Sequence, residues 1–136
     1  MHFEFHVEGG DFIQAGTASS QVKKTLKQLS VDPAVIRRVV VALYEAEVNI
    51  VAHAYRGHIV ADIGGDGIKM ILADEGPGIP DVPLAMTRGY STASEKVRQM
   101  GFGAGMGLPN IEDNADFLSI DTEVGKGTTL NIEIKF

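Results

Sequence analysis

Phe3, Phe5 and Val7 alternate with His2, Glu4 and His6, the two-residue period of a strand with one buried face. Gly9-Gly10-Asp11 breaks it. The period then lengthens. Behind Thr17, a residue able to cap a helix, Val22, Leu26 and Leu29 recur at helical spacing while Lys23, Lys24 and Lys27 take the wet side. Asp32-Pro33 predicts the start of a second helix, with the aspartate as N-cap and the proline where a missing N–H does no harm. That helix should run to about Tyr55, with Gly57 just beyond its end.

Two apolar strands follow at 59–63 and 68–73, joined by the hairpin signal Gly64-Gly65-Asp66-Gly67. Pro77, Pro80 and Pro83 interrupt regular structure, and 86–103 has no period and a polar content that reads as a mobile lid. A third helix is expected from Gly107-Leu108-Pro109 to around Ala115, then strands at 117–123 and 128–136 around the turn Gly125-Lys126-Gly127. About five strands and three principal helices predict an α+β fold with helices on one sheet face.

A chain of 136 residues with 44% hydrophobic and 22% charged content fits one domain, 1–136, with a well-covered core. No apolar run approaches the roughly 20 residues that cross a bilayer, and Glu4 interrupts any signal-peptide pattern. The expected location is the cytoplasm, away from membranes. The absence of cysteine excludes disulfides, thiolate zinc sites and thiol catalysis. A net charge of −6 argues against a dedicated nucleic-acid binder; it keeps a small domain soluble or meets a basic partner surface.

Chemistry concentrates in three segments. The second helix is apolar over most of its circumference, yet Glu45, Asn49 and His53 fall within roughly 80° of one another, while Glu47 points elsewhere. Such a stripe on a buried helix must face water, a partner or a ligand, because unpaired buried polar groups are costly. Alone, it would also fit a solvated helix face. A glutamate there can take a proton from a hydroxyl or a water, and an asparagine oxygen can join phosphates around Mg²⁺. His53 reads as a packing or hydrogen-bonding residue at the lower edge of the pocket.

Asp74 stands at the end of an apolar strand, where an ionised carboxylate can accept a hydrogen bond from an exocyclic amine such as that of adenine. Gly78, without a Cβ, can admit a flat base, although Asp74-Glu75-Gly76-Pro77-Gly78 taken alone also fits an ordinary turn. Gly101-Phe102-Gly103-Ala104-Gly105-Met106-Gly107 leads into a helix start, where backbone N–H groups can meet phosphate. It is neither a dinucleotide fingerprint nor a P-loop, since no strand-to-helix unit opens it and no Gly-Lys-Ser/Thr follows.

In this order the residues resemble the GHKL ATP-binding superfamily, named for gyrase, Hsp90, histidine kinases and MutL. Glu45-x-x-x-Asn49 is similar to its N box, Asp74-x-Gly76-x-Gly78 to its first glycine box, and Gly103-x-Gly105-x-Gly107 to its second; Gly127-Thr128 looks like its final nucleotide-binding element. The resemblance spans almost the whole chain. It implies a Bergerat fold, a two-layer α/β sandwich with a mixed sheet of about five strands and about three helices on one face. It also implies ATP and Mg²⁺ as cofactors. The nucleotide contacts it implies are Asn49, His53, Asp74, Gly76, Gly78, Ile79, Gly103, Ala104, Gly105, Met106, Gly107, Leu108 and Thr128. In that pattern Asp74 reads the adenine amine, Thr128 supports it through water, Asn49 holds Mg²⁺ and Glu45 is the catalytic base.

Within the superfamily, the short length and Gly89-Tyr90-Ser91-Thr92 are similar to bacterial anti-sigma-factor serine/threonine kinases of the switch-kinase type. Histidine kinases commonly carry Asn where Glu45 stands and need a helical phosphoacceptor domain for which this chain has no room. A glutamate suits a hydroxyl acceptor, which loses its proton as the bond forms. The implied partners are an anti-anti-sigma-type protein substrate and a sigma factor or other regulator; a homodimer stays open. The alternatives are a non-catalytic ATP/ADP-responsive binding module and an ATPase subunit of a larger assembly. A lid longer than the family pattern leaves Lys96 and Arg98 open as phosphate contacts or solvated residues.

Overall fold

The computed structural model describes residues 1–87 and 107–136. In chain order these form β1 (His2–Glu8), α1 (Thr17–Gln28), α2 (Pro33–His53), β2 (Arg56–Ile63), β3 (Gly67–Glu75), the one-turn helix α3 (Val82–Ala85), α4 (Gly107–Asn114), β4 (Phe117–Glu123) and β5 (Gly127–Lys135). Most of the expected lid, and with it Lys96, Arg98 and the glycine-ladder residues Gly103, Ala104, Gly105 and Met106, lies outside the described residues.

The strands make one sheet in the order β1-β2-β3-β5-β4, and every neighbouring pair is antiparallel. The α+β sandwich is as expected, but the sheet is not mixed. Short turns join β2 to β3 and β4 to β5, which makes those pairs antiparallel by construction. Between β1 and β2 the chain makes two helices and re-enters the sheet beside the point where it left, with Glu8 opposite Arg56.

Period-two alternation sorts the sheet into two faces. Ile59, Ala61, Ile63, Ile68, Met70, Leu72, Leu130, Ile132 and Ile134 are buried, whereas His58, Asp62, Lys69 and Ile71 of the opposite parity are exposed. The buried face packs under α2, which touches β1, β2, β3 and β5 and is flanked by α1 and α4. Val22 and Leu26 of α1, Val39 and Leu43 of α2 and Ile111 of α4 complete the core, all fully buried. Burying side chains of this kind stabilises by about 1.5–3 kcal/mol each before entropy is counted.

Local signals at helix ends met mixed outcomes. Asp32 is the N-cap of α2, its Oδ1 accepting from the Ala34 N–H at 2.8 Å, with Pro33 in the first turn. Thr17 does not cap α1. It is the first helical residue behind Gly16, and its hydroxyl donates to the Gln14 carbonyl at 2.7 Å. Leu29 lies at the C-cap and is exposed rather than part of the buried stripe.

Gly57 is not a helix stop but a residue inside β2. A Cβ there would stand 2.8 Å from both Cδ1 and Cγ2 of Ile50, so its role is to let α2 lie close on the sheet. The last turn of α2 and the residues just after it are tied to the turn behind β1 and to the end of β3: Gly10 N–H donates to Val51 O at 2.8 Å and Tyr55 N–H to Glu75 O at 2.8 Å. Those bonds set the height of the α2 stripe against the end of β3.

Candidate nucleotide-binding site

Eight residues of α2 separate Glu45 from His53, a rise of about 12 Å along one side of the helix. Glu45, Asn49 and His53 are each half-buried, between a buried interior and open solvent. α4 closes one end of this stripe. Its first residue, Gly107, lies so close to Asn49 that a Cβ would stand 2.9 Å from the amide Oδ1 and 3.2 Å from Nδ2. One turn on, the Asn110 Nδ2 donates to Glu45 Oε1 at 3.4 Å. At the other end, Gly76 closes over α2: a Cβ there would meet Ala54 Cα at 3.0 Å. His53 occupies the last turn, and burial pushes its imidazole pKa down, favouring the neutral ring.

Asp74 comes to the site from the end of β3. Its Oδ1 accepts from the Thr128 N–H at 3.0 Å, while burial raises the carboxyl pKa and that N–H partly opposes the rise. The pairing leaves the other carboxylate oxygen for a ligand amine. Gly127 makes the close approach possible, since a Cβ there would lie 2.1 Å from Asp74 O, at a φ of +152°.

A hydroxyl network lies beside this pair. Thr122 and Thr128 face each other on β4 and β5, with Oγ1 atoms 2.9 Å apart, and Thr122 Oγ1 also reaches Gly127 O at 3.2 Å. It accepts from the Ile79 N–H at 2.8 Å. Since Thr122 has one hydroxyl proton and the Gly127 carbonyl can only accept, Thr128 donates to Thr122 and keeps its own lone pairs for water or ligand. Sequence reasoning passed over Thr122. The signal that would have found it is its register opposite Thr128 once the Gly125-Lys126-Gly127 turn is placed.

Other expected contacts divide. Gly78 has a φ of +76°, and a Cβ there would stand 2.5 Å from Glu123 O, so its lack of a side chain serves the turn against β4. Ile79 has committed its N–H to Thr122 and offers its half-buried side chain. Leu108 is buried in the core, so its backbone is the part that can meet a ligand. The expected phosphate contacts at Gly103, Ala104, Gly105 and Met106 are outside the described residues; Gly107, the end of the ladder, starts α4 as expected.

Glu47 does point away from the stripe, and it has a job there. It is 2% exposed and accepts from the Ala18 N–H at 3.1 Å and the Ser19 N–H at 3.4 Å, capping α1 where Gly16 has no side chain to do so. Burial raises its pKa, and the two N–H donors hold it back.

Among the described residues no three or more His, Asp or Glu side chains are arranged to hold a metal ion. An ion held by one protein oxygen together with substrate phosphates, as reluctantly dehydrated Mg²⁺ commonly is, would need no such cluster. The Asn49 amide would fit that role, and Gly107, lacking a side chain, is what spares it a clash with α4.

Comparison with known proteins places nearly the whole chain in a family. The family described as histidine kinase-like ATPase domain matches residues 11–134. The serine/threonine-protein kinase RsbT of Bacillus subtilis (strain 168) is 36% identical over 124 residues, covering 88% of this chain and 85% of the relative. An anti-sigma F factor of Clostridium beijerinckii is 32% identical over 113 residues, covering 77% of this chain and 76% of its own. In the crystal structure of the RsbU and RsbW domains of a Mycobacterium tuberculosis protein, 33% of that chain aligns with 98% of this one at a TM-score of 0.61 and 19% identity. The mycobacterial sensor histidine kinase MprB aligns over 99% of this chain and 97% of its own at a TM-score of 0.56 and 15% identity. At those identities the two structures speak for the fold alone. No helix among the described residues is long and apolar enough to cross a membrane.

Proposed function

This chain belongs to the family of histidine kinase-like ATPase domains, and we propose that it is an anti-sigma-factor-like protein serine/threonine kinase using ATP and Mg²⁺. The observation that carries the reading is Glu45, a half-buried carboxylate one helical turn from Asn49, with both residues against the first turn of α4. A histidine acceptor would not need such a base. A serine or threonine hydroxyl does.

In this reading Asp74 accepts from the adenine amine, Thr128 supports it through water, and the segment ending at Gly107 carries the phosphates. Asn49 would hold Mg²⁺, which neutralises phosphate charge when bound. Glu45 takes the hydroxyl proton as the hydroxyl oxygen bonds to the γ-phosphorus. The bond from that phosphorus to the β–γ bridging oxygen breaks, and its electron pair leaves with ADP. The acceptor is a small anti-anti-sigma-type protein, and a sigma factor or other regulator is the competing partner. The domain spans 1–136 and works in the cytoplasm, where ATP is supplied.

Incubation with γ-³²P-ATP, Mg²⁺ and small partner proteins of that type tests the proposal. Label on a serine or threonine of the partner, absent with Glu45→Gln, is the expected result. Free phosphate alone would make the chain an ATPase subunit. ATP-dependent partner affinity with neither product would make it a binding module.

A further inference from the structure

Glu45 and Asn49 lie four residues apart on α2, and α4 meets them with two residues three apart, Gly107 and Asn110. The two spacings match because each is one helical turn, so neighbouring turns of packed helices fall opposite one another. Gly107 gives Asn49 room. Asn110 does the opposite for Glu45: it supplies a donor. Its Nδ2 lies 3.4 Å from Oε1, a long hydrogen bond between two half-buried side chains.

We infer that Asn110 is a positioning residue, which holds the Glu45 carboxylate by one oxygen and leaves the other free to take the acceptor's proton. This rests on the kinase reading of Glu45 and adds to it a residue outside the motifs that identify the site. An ionised carboxylate accepts only, so a partner that must not compete for the incoming proton has to be a donor that cannot itself be a base; a carboxamide meets both conditions. The flanking residues Pro109 and Ile111 are buried, which fixes the face of α4 that Asn110 presents. Asn114, one turn further, donates its Nδ2 to the Asn110 carbonyl at 2.8 Å. Arg38 of α2 then anchors the far end of α4, donating from Nε to the Asn114 carbonyl at 3.0 Å. The far end of the helix is thus anchored to α2, and the Asn110 donor lies at the height of Glu45.

Asn110→Asp is the sharpest test, because it keeps shape and places a like charge beside Glu45. Asn110→Ala removes the donor alone, and Asn110→Gln keeps one on a longer arm. Single-turnover conversion of γ-³²P-ATP to ADP is measured with Mg²⁺, with and without the protein acceptor, beside ATP affinity by calorimetry. The expected result is a loss in turnover of about tenfold for Ala and more for Asp, partial recovery with Gln, and ATP affinity within about twofold of wild type throughout. In a Glu45→Gln background the Asn110 substitutions should cost nothing further, since their effect passes through that carboxylate. Wild-type turnover in Asn110→Asp, or equal losses in both backgrounds, would overturn the inference. If wild type makes free phosphate and no phosphoprotein, the kinase reading fails while the same comparison, read on hydrolysis, still decides the role of Asn110. A wild type with neither product overturns both.

Discussion

Asp74 and Thr128 are tied by one hydrogen bond, from the Thr128 N–H to Asp74 Oδ1 at 3.0 Å, across strands that the sequence separates by 54 positions. The bond occupies one carboxylate oxygen and leaves the other for a ligand donor. Asp74→Asn keeps the volume and can keep this bond, but it loses a charged acceptor. ATP affinity measured by calorimetry should fall by about ten- to a hundredfold, the worth of one hydrogen bond to a charged group.

The same substitution should stabilise the fold. Burial raises the Asp74 pKa in the folded state, so the carboxyl favours folding below its unfolded value near 3.8 and that advantage is lost as pH rises through the folded value. At neutral pH Asp74→Asn should therefore melt higher than wild type, with the gap closing toward pH 3. Melting curves at a series of pH values check this, and a gap independent of pH would contradict it.

Gly107→Ala should act on Asn49. Its Cβ would lie 2.9 Å from the end of a side chain that can yield, so the fold should survive while the amide turns away. ATP affinity with Mg²⁺ should drop about tenfold and affinity in EDTA should barely change. Equal losses in both conditions would take Asn49 out of the metal's company.

Gly127→Ala and Gly125→Ala form a matched pair. Both positions have positive φ, but a Cβ at 127 would meet Asp74 O at 2.1 Å and one at 125 meets nothing within 4 Å. Denaturant titration should show a loss of about 1 kcal/mol for Gly125→Ala and about 3 kcal/mol or more for Gly127→Ala.

His53 gives a stability change of the opposite sign in pH. Burial lowers its pKa, so the neutral ring contributes stability above the unfolded value near 6.5, lost as pH falls through the folded value. His53→Gln should flatten the stability profile of the protein between about pH 7 and pH 5. Denaturation midpoints that fall equally in both proteins would assign the loss elsewhere.

What the sequence made legible was local. Asp32-Pro33, the Gly64–Gly67 turn and the Gly125–Gly127 turn carry their geometry within a few residues, and the α2 stripe follows from helical period. Glu47 was not legible as a cap, because its donors at Ala18 and Ser19 belong to another helix nearly thirty positions away. Gly57 looked like a helix stop because its real neighbour, Ile50, meets it only when α2 lies on β2. The close approach of Gly78 to the Glu123 carbonyl was hidden for the same reason, since nothing nearby in sequence announces it. The antiparallel sheet follows from where α2 returns the chain, a tertiary matter.

The order β1-β2-β3-β5-β4 has a consequence for synthesis. β5 follows β4 in the chain but lies inside the sheet, between β3 and β4. A nascent chain with residues 1–126 outside the ribosome could pair β1, β2 and β3, yet it would leave the rim of β3 open and β4 without a neighbour in the sheet. Asp74 would meanwhile lack the Thr128 N–H, so the adenine end of the pocket cannot be finished before the strand that splits the sheet arrives. Truncation just short of residue 127 should yield a sticky, incompletely folded chain, because an unpaired rim of this kind is a template for other chains.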